Sequence, residues 1–543
     1  MSKRKRNPLS DARKGASTAL SASVTPDING DYRNIEKTSH RKKSKSDDLW
    51  HRKSGAGYNL FISYYGRQPS GVVAHDADFR GSSDACFSLG SSTRKSEAPH
   101  ARGLSRASKK RQKKRAKSCA NNDYSGVISL GKACERVNGY KLRDSSELPE
   151  NNPLYTSHPL VNAFISNARY SHLYSFVCTL STPLPLTFRL RRNGPLSSKD
   201  LEATISEKYS QYISPVSYDP TKAIFQSSPS SCLTKSNLGD IPNLKELIVA
   251  GSQDGTLARQ EIGSMLPILA LHSVHALIQG SKVLDLCASP GSKALQALEI
   301  VAQDGKKGRV IANDVHSERL ESLREAVARS GLLEDLTSRV TFTNFDASVF
   351  PPPKSGRMFD AIICDVPCSG DGTIRKDRHV LPMWSPRIGN ELHGLQLKIL
   401  TRALELVRTG GVICYSTCSL NPVENEAVVA AALGALTRGS TKFEVLEWPK
   451  TLLPGLVTRG GITDWKVAFY DSNKVDHDSD DFGSLTFCSS AEDAEKAGIK
   501  EVAATLWPSI PQIKQLHLHR CIRLLPQDNN TGGFFLALIK RIQ

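Results

Sequence analysis

Between residues 271 and 440 the apolar positions fall into short unbroken runs separated by longer periodic ones. VLDLCA, RVIAND, VTFTNFD, DAIICDV and GGVICYST have the make-up of strands covered on both faces. SKALQALEIVAQ and SERLESLREAVARS lie between the first three of these, and ELHGLQLKILTRALELVR bridges the fourth and fifth. These linking segments repeat apolar residues at helical spacing. Strand and helix in alternation predict βαβ units and a doubly wound, mostly parallel α/β sheet. TGGFFLALIKR (531–541) predicts a last strand. Upstream, LPLTFRLRR (184–192) alternates apolar and polar residues and predicts a half-buried strand with a basic outer face. On that face Arg189, Arg191 and Arg192 stand open between two readings, phosphate contacts and a plain solvated surface. LARQEIGSMLPILALH (257–272) predicts a helical segment that Pro267 interrupts or kinks.

Three regions follow from this patterning. Residues 1–148 show little sustained periodicity, are rich in Ser, Lys, Arg and Gly, and are expected to be a mostly disordered arm. Within them YNLFISYYG (58–66) is an aromatic exception whose role is open. Residues 149–270 read as a mixed α+β subdomain and residues 271–543 as the α/β domain. An acidic, Ser-rich surface insertion lies near 471–500, centred on DSNKVDHDSDDFGSL (471–485). Its Asp476, Asp478, Asp480 and Asp481 lack EF-hand spacing, so a solvated loop is expected there.

Charge sharpens the first boundary. The chain of 543 residues carries a net +18, and residues 1–120 hold 27 Lys+Arg against 10 Asp+Glu, or +17 of it. The basicity therefore belongs to the arm. Clusters at Lys3–Arg6, Arg41–Lys43 and Lys109–Arg115 suit RNA phosphates or a nuclear import receptor, and a nuclear or nucleolar protein is expected. The first twenty residues lack the apolar segment of a secretory signal. No run approaches the ~20 apolar residues of a membrane span. The twelve scattered cysteines are then expected to be free thiols in a reducing, soluble, intracellular protein. A monomer without a membrane or metal partner is expected.

Two of those cysteines carry most of the chemical information. Cys368 in DVPCSGDGT and Cys418 in YSTCSLNPVENE each follow a strand signal, so each lies in a loop at a strand's carboxyl end, where open α/β sheets bind ligands. Asp365 precedes the first. Two thiols and an acid beside a cofactor-type turn suggest covalent catalysis by a thiolate. The turn is Cys287-Ala288-Ser289-Pro290-Gly291-Ser292-Lys293, between strand and helix. Gly291 permits close backbone approach and the helix amino end attracts an anion, although the absence of GxGxxG disfavours a dinucleotide. Asp314 and Asp346 end the next two strand signals, where the first would accept ribose hydroxyls and the second would meet an adenine edge. Cys364 and Cys414, inside strand signals, read as packed hydrophobes, as does Cys287. A zinc set of Cys364, Cys368, Cys414 and Cys418 is disfavoured, since four residues along a strand span about 13 Å. In the loop after Cys368, Arg375, Lys376 and Arg378 would grip phosphates. Trp384 is open between stacking on a base and packing against the next helix.

The strings LCASPGSK, AND with Arg319 following, FDAS, CDVPCSGDGTIRKD and YSTCSLNPVENEA resemble the Sun/Fmu family of RNA cytosine-C5 methyltransferases. The resemblance covers roughly residues 150–543. TPLPLTFRL, LARQEIGSMLP, GITDWKV and RCIRLLPQDNNTGGFFLALIK are similar to its eukaryotic tRNA-modifying branch. Ser289 stands where that branch usually has Ala, and Phe345 where it usually has His. The resemblance implies a Rossmann-like methyltransferase core, S-adenosylmethionine as cofactor and RNA, foremost tRNA, as partner. It implies Cys418 as nucleophile, Cys368 as the thiol that assists product release, and Asp365 as the group that holds N3 and the N4 amino group. Lys293 would balance charge beside them. The alternatives are the same chemistry on ribosomal RNA and an inactive RNA-binding assembly factor.

Overall fold

The computed structural model describes residues 182–543, apart from 192–197, 232, 303–307, 333–336, 437–441, 471–484 and 508–514, together with residues 61, 64, 65, 68, 176, 179 and 180. The basic clusters of the arm, Arg192 and the acidic stretch 471–484 lie outside the described residues.

A four-stranded antiparallel sheet opens the continuous part. Its strands β1 (Thr187–Leu190), β2 (Ile213–Pro215), β3 (Ile224–Ser227) and β4 (Leu257–Arg259) run in the order β2-β3-β1-β4, with helices α1 (Lys199–Lys208) and α2 (Pro242–Gln253). Phe188 and Leu190 of β1 enter a core with Leu201, Ile205, Phe225, Leu244 and Ile248, where the Phe188 and Phe225 rings stack at 5.4 Å. The alternation in LPLTFRLRR is therefore real, but the basic face is not an outer one. Arg189 and Arg191 turn toward the large domain and both bind Glu299, at 2.5 and 2.8 Å, and both are buried. The alternation could not show this, because a second domain covers the polar face. Arg189 is thus an interdomain ion pair and not an RNA contact. The 257–272 segment also divides. Leu257 pairs with Leu190 in β4, and helix α3 (Ile262–Ser273) begins only after Glu261, whose side chain caps it at Ser264 N (3.1 Å). Pro267 lies inside α3.

The large domain is built on β5 (Lys282–Asp285), α4 (Ser292–Val301), β6 (Arg309–Asn313), α5 (Ser317–Ala328), β7 (Val340–Thr343), β8 (Phe359–Asp365), α6 (Pro386–Leu406), β9 (Val407–Thr417) and α7 (Glu426–Leu436). β10 (Phe443–Val445), β11 (Arg459–Gly460), β12 (Val467–Tyr470), β13 (Leu485–Cys488), β14 (Ile522–Leu524) and β15 (Phe534–Arg541) follow. The main sheet runs β7-β6-β5-β8-β9-β15-β14-β11, with β10 paired to β15. β5 to β9 are parallel, and β15 is antiparallel to β9. The separate β12–β13 pair brackets the acidic stretch.

Both faces are covered, and the period of two assigns each strand residue to one of them. Val283, Ile363 and Cys414 pack with α3, α4 and α5, whereas Leu284, Ile362, Cys364, Ile413 and Tyr415 pack with α6 and α7. Cys364 and Cys414 are therefore packed hydrophobes on opposite faces. Chain order reverses at β5, with β6 to one side and β8 to the other. This is a topological switch point, and it opens a crevice at the carboxyl ends of these strands.

Two expected RNA contacts are interior. Arg375 is buried and donates to Thr182 O (3.2 Å), Thr531 O (2.7 Å) and Asn530 Oδ1 (2.6 Å), so its guanidinium closes three chain segments together. Trp384 is 1% exposed, with ring contacts to Phe61 (5.1 Å), Tyr64 (5.4 Å) and Tyr65 (5.8 Å). Phe61, Tyr64 and Tyr65 of the aromatic exception are thus packed on Trp384, in the loop after Cys368. Lys376 is exposed. Trp384→Ala should lower the unfolding free energy by about 3–5 kcal/mol, the cost of emptying a large aromatic site. Trp384→Phe should fold and leave RNA affinity within about twofold. Urea unfolding and an RNA titration check both, and a stable Ala variant with lost RNA affinity would restore the stacking role.

Candidate active site

Every strand around the switch point delivers a polar residue to one edge. β5 ends at Asp285 and turns through Leu286–Gly291 into α4. The turn is pinned by Leu286 N to Ile363 O (3.1 Å), Ala288 N to Asn313 O (2.7 Å) and Gly291 N to Ala288 O (2.7 Å). Gly291 has φ +107°, and a Cβ there would lie 2.3 Å from Leu323 Cδ1, so this turn requires glycine. Ser289 is tied across to the next loop. Its N donates to Asp314 Oδ2 (3.3 Å), its Oγ to Arg319 O (2.9 Å), and Arg319 Nη2 donates to Ser289 O (3.1 Å).

The three strand-end acids differ in how far the chain already uses them. Asp314 is buried and accepts His316 N (3.0 Å) as well as Ser289 N, so it shapes the loop as much as it faces a ligand. Asp346 accepts Ser348 N (2.8 Å) and is partly exposed. Asp285 is buried, and neither of its carboxylate oxygens is hydrogen-bonded. Burial pushes its pKa up to about 8, against the pull of nearby Lys293. An unpartnered buried carboxylate beside a glycine turn and a helix amino end fits a ligand with both cationic and anionic groups, as in the amino-acid part of S-adenosylmethionine.

On the other side of the crevice, β8 delivers Asp365 and Cys368 and β9 delivers Cys418. The two sulfurs are 3.2 Å apart. Lys293, in the first turn of α4, donates to Asp365 Oδ2 (2.7 Å) and Ser264 Oγ (3.3 Å), and Ser416 Oγ donates to Asp365 Oδ1 (2.6 Å). Burial by itself would lower the Lys293 ammonium, but Asp365, with Asp285 and Cys418 behind it, carries it above its usual value. Lys293 is therefore a held cation that fixes Asp365. The Cys368 thiol is pushed well up, first by its hydrogen bond to Cys418 and then by burial and the charges of Cys418, Glu424 and Asp365. The two sulfurs are thus in direct contact at the mouth of the crevice, with the Cys368 thiol held protonated.

Two buried acids that sequence reasoning passed over hold the cysteine loops together. Glu424 accepts Ser369 N (2.7 Å), Ser369 Oγ (2.5 Å), Ser419 Oγ (2.7 Å) and Gln396 Nε2 (3.1 Å), so it binds the residue after each cysteine. Asp371 accepts Leu420 N (2.8 Å). Gly372 N donates to Cys418 O (2.9 Å), and a Cβ on Gly372 would lie 2.3 Å from Gly533 O. Glu426 and Arg523, both fully buried, pair at 2.8 Å, and Arg523 also donates to Leu420 O. The only hint in the chain was the run of acids in NPVENE and SGDG, which on its own reads as exposed loop.

The strand order, the antiparallel β15 and the turn after β5 define a class I methyltransferase fold. Residues 273–451 match the family model described as 16S rRNA methyltransferase RsmB/F. The chain is 31% identical over 394 residues to the multisite-specific tRNA:(cytosine-C(5))-methyltransferase of Saccharomyces cerevisiae, covering 68% of this chain and 52% of that one. It is 36% identical over 335 residues to the enzyme trm4b of the same description from Schizosaccharomyces pombe, covering 55% and 44%. It is 41% identical over 169 residues to ribosomal RNA small subunit methyltransferase F of Escherichia coli, covering 31% and 33%. The chain thus spans about half the length, or less, of these relatives.

Burial, followed by the charge of Asp371, pushes Glu424 from 4.5 up to about 7, against its donors. Between those values the folded protein holds a proton that the unfolded chain releases. This site's contribution to stability is therefore full below the lower value and is lost as pH rises through the upper one. The stability advantage of wild type over Glu424→Gln should shrink between about pH 5 and pH 8. Urea midpoints measured across that range check it, and a pH-independent difference would remove Glu424 as the titrating group.

Proposed function

We propose that this protein transfers a methyl group from S-adenosylmethionine to C5 of cytosine in RNA, foremost tRNA, through a covalent adduct. The observation that carries the reading is the Cys368–Cys418 pair at 3.2 Å, beside an Asp365 carboxylate fixed by Lys293 and Ser416.

C5 of cytosine is a weak nucleophile, and a thiolate that adds to C6 makes it enamine-like. Cys418 supplies that thiolate. As its Sγ–C6 bond forms, ring electron density moves toward N3, and Asp365 holds the N3 and N4 side of the ring there. When bound, S-adenosylmethionine supplies the methyl as an electrophile on a sulfonium sulfur, which takes back the bonding pair when C5 accepts it. Asp285, the 287–293 turn, Asp314 and Asp346 would hold that molecule. Release requires loss of the C5 proton, after which the C5–H pair re-forms the C5–C6 double bond and expels the Cys418 thiolate. The first cause that holds Cys368 protonated is its hydrogen bond to Cys418, with burial next. Once Cys418 is bonded to C6 that first cause is weakened, and Cys368 stands beside the adduct to take part in its release. A stacked target base has to be extruded to reach this crevice.

The tRNA preference is supported by the sequence strings at 184–192, 257–267 and 520–540 and by the tRNA enzymes among the relatives. Ribosomal RNA is the second reading, supported by the bacterial relative. Both thiols with Asp365 speak against an inactive assembly factor. The basic arm supports a nuclear address through an import receptor, with the nucleolus as the alternative compartment, and a monomer is the simplest state.

Purified protein should methylate unmodified tRNA transcripts in preference to ribosomal RNA fragments of equal length. Cys418→Ala should give neither methylation nor adduct. Cys368→Ala should accumulate a protein–RNA adduct that survives denaturing electrophoresis and disappears with RNase, and the double variant should behave like Cys418→Ala. An adduct in Cys418→Ala alone would reverse the roles, and full activity in either single variant would end the two-thiol mechanism.

A further inference from the structure

Phe61, Tyr64, Tyr65 and Gln68 stand some three hundred residues before the catalytic loops in a region whose composition reads as disordered. All four are nevertheless at most 3% exposed. Their polar ends are specific. Tyr65 OH donates to Asp371 Oδ2, the same carboxylate whose Oδ1 accepts Leu420 N (2.8 Å). Tyr64 OH donates to Asn421 Oδ1 (2.7 Å), and Asn421 N donates to Ser419 Oγ (3.0 Å). Gln68 pairs with the Lys466 backbone in both directions, at 2.9 and 3.0 Å. The rings pack on Trp384, which lies in the loop that follows Cys368.

Asp371 follows Cys368 by three residues, and Leu420 and Asn421 follow Cys418 by two and three. The two tyrosines therefore grip both catalytic loops just past their thiols. Burial, with Asp371 next, raises both tyrosine hydroxyls well above their usual range, so they remain donors throughout the working pH. Without Tyr65, Asp371 loses a donor in a place where water does not readily replace it.

We propose that this amino-terminal segment is a strap for the active site, with Tyr65 and Tyr64 as positioning residues that set the Cys368 and Cys418 loops through Asp371 and Asn421. The proposal rests on the methyltransferase reading for its kinetic arm only. Aromatic packing anchors the strap, and the two hydroxyls set register between loops that come from different strands. Neither tyrosine needs to touch substrate.

The test uses full-length Tyr65→Phe, which keeps the ring and removes the hydroxyl. Three quantities are measured: the thermal midpoint, kcat and KM on unmodified tRNA transcript, and the rates at which iodoacetamide alkylates Cys418 and Cys368 in the RNA-free protein, mapped by peptide mass. A folded variant should lose about tenfold or more in kcat, the scale set by small misplacement of reacting groups. KM for RNA should stay within about twofold, since no ground-state contact is removed. The alkylation rate of Cys418 relative to Cys287 should change severalfold. Unchanged kcat and unchanged thiol reactivity overturn the strap, as does a loss that only follows thermal unfolding. Should Tyr65→Phe fail to fold, Tyr64→Phe carries the same test with the Asp371 bond intact. If the wild type methylates no cytosine in RNA, the functional reading has failed, and the alkylation comparison alone decides the strap.

Discussion

Glu424 binds the residues that follow both cysteines, and this buried carboxylate is the constraint on which the rest of the site depends. Two loops from neighbouring strands carry unpaired backbone and hydroxyl groups into a place shielded from water, where each unmet donor costs free energy. A single carboxylate that accepts four of them satisfies the loops and fixes their separation at the same time. Asp371 and the Glu426–Arg523 pair repeat the device on either side. Breaking one partner of such a buried set leaves an uncompensated charge, so the arrangement holds as a unit.

That polar clamp lets two thiols sit in contact. The Cys368 thiol is pushed up first by its hydrogen bond to Cys418 and then by burial, and Asp365 raises Lys293 against burial. Each reactive group thus has its protonation state set by a neighbour from another strand or helix. The sheet makes this possible by ending β5, β8 and β9 at one edge, with α4 rising from the first of them.

Cationic side chains show the same economy of position. Arg189, Arg191, Arg375 and Arg523 are all buried, and each closes contacts between distant segments. Arginine serves this role well because its planar fork meets several acceptors at once. Among the described residues expected to meet RNA, Lys376 is exposed and Arg378 partly so.

The chain by itself determined the strand and helix order over residues 271–440, the last strand, and the placing of Cys368, Cys418, Asp365 and the 287–293 turn at one sheet edge. It could do so because apolar runs and periodic segments are local signals, and because a strand followed by a polar loop places that loop at the sheet edge. Tertiary structure alone decided which polar residues face inward. Arg189 and Trp384 carry the composition of RNA-binding groups, yet the partners that bury them, Glu299 and Tyr64, lie 110 and 320 residues away in the chain. Glu424 and Asp371 read as loop acids until two strands bring their donors together. Burial of a charged or aromatic group depends on what the rest of the chain packs against it, and no local pattern contains that information.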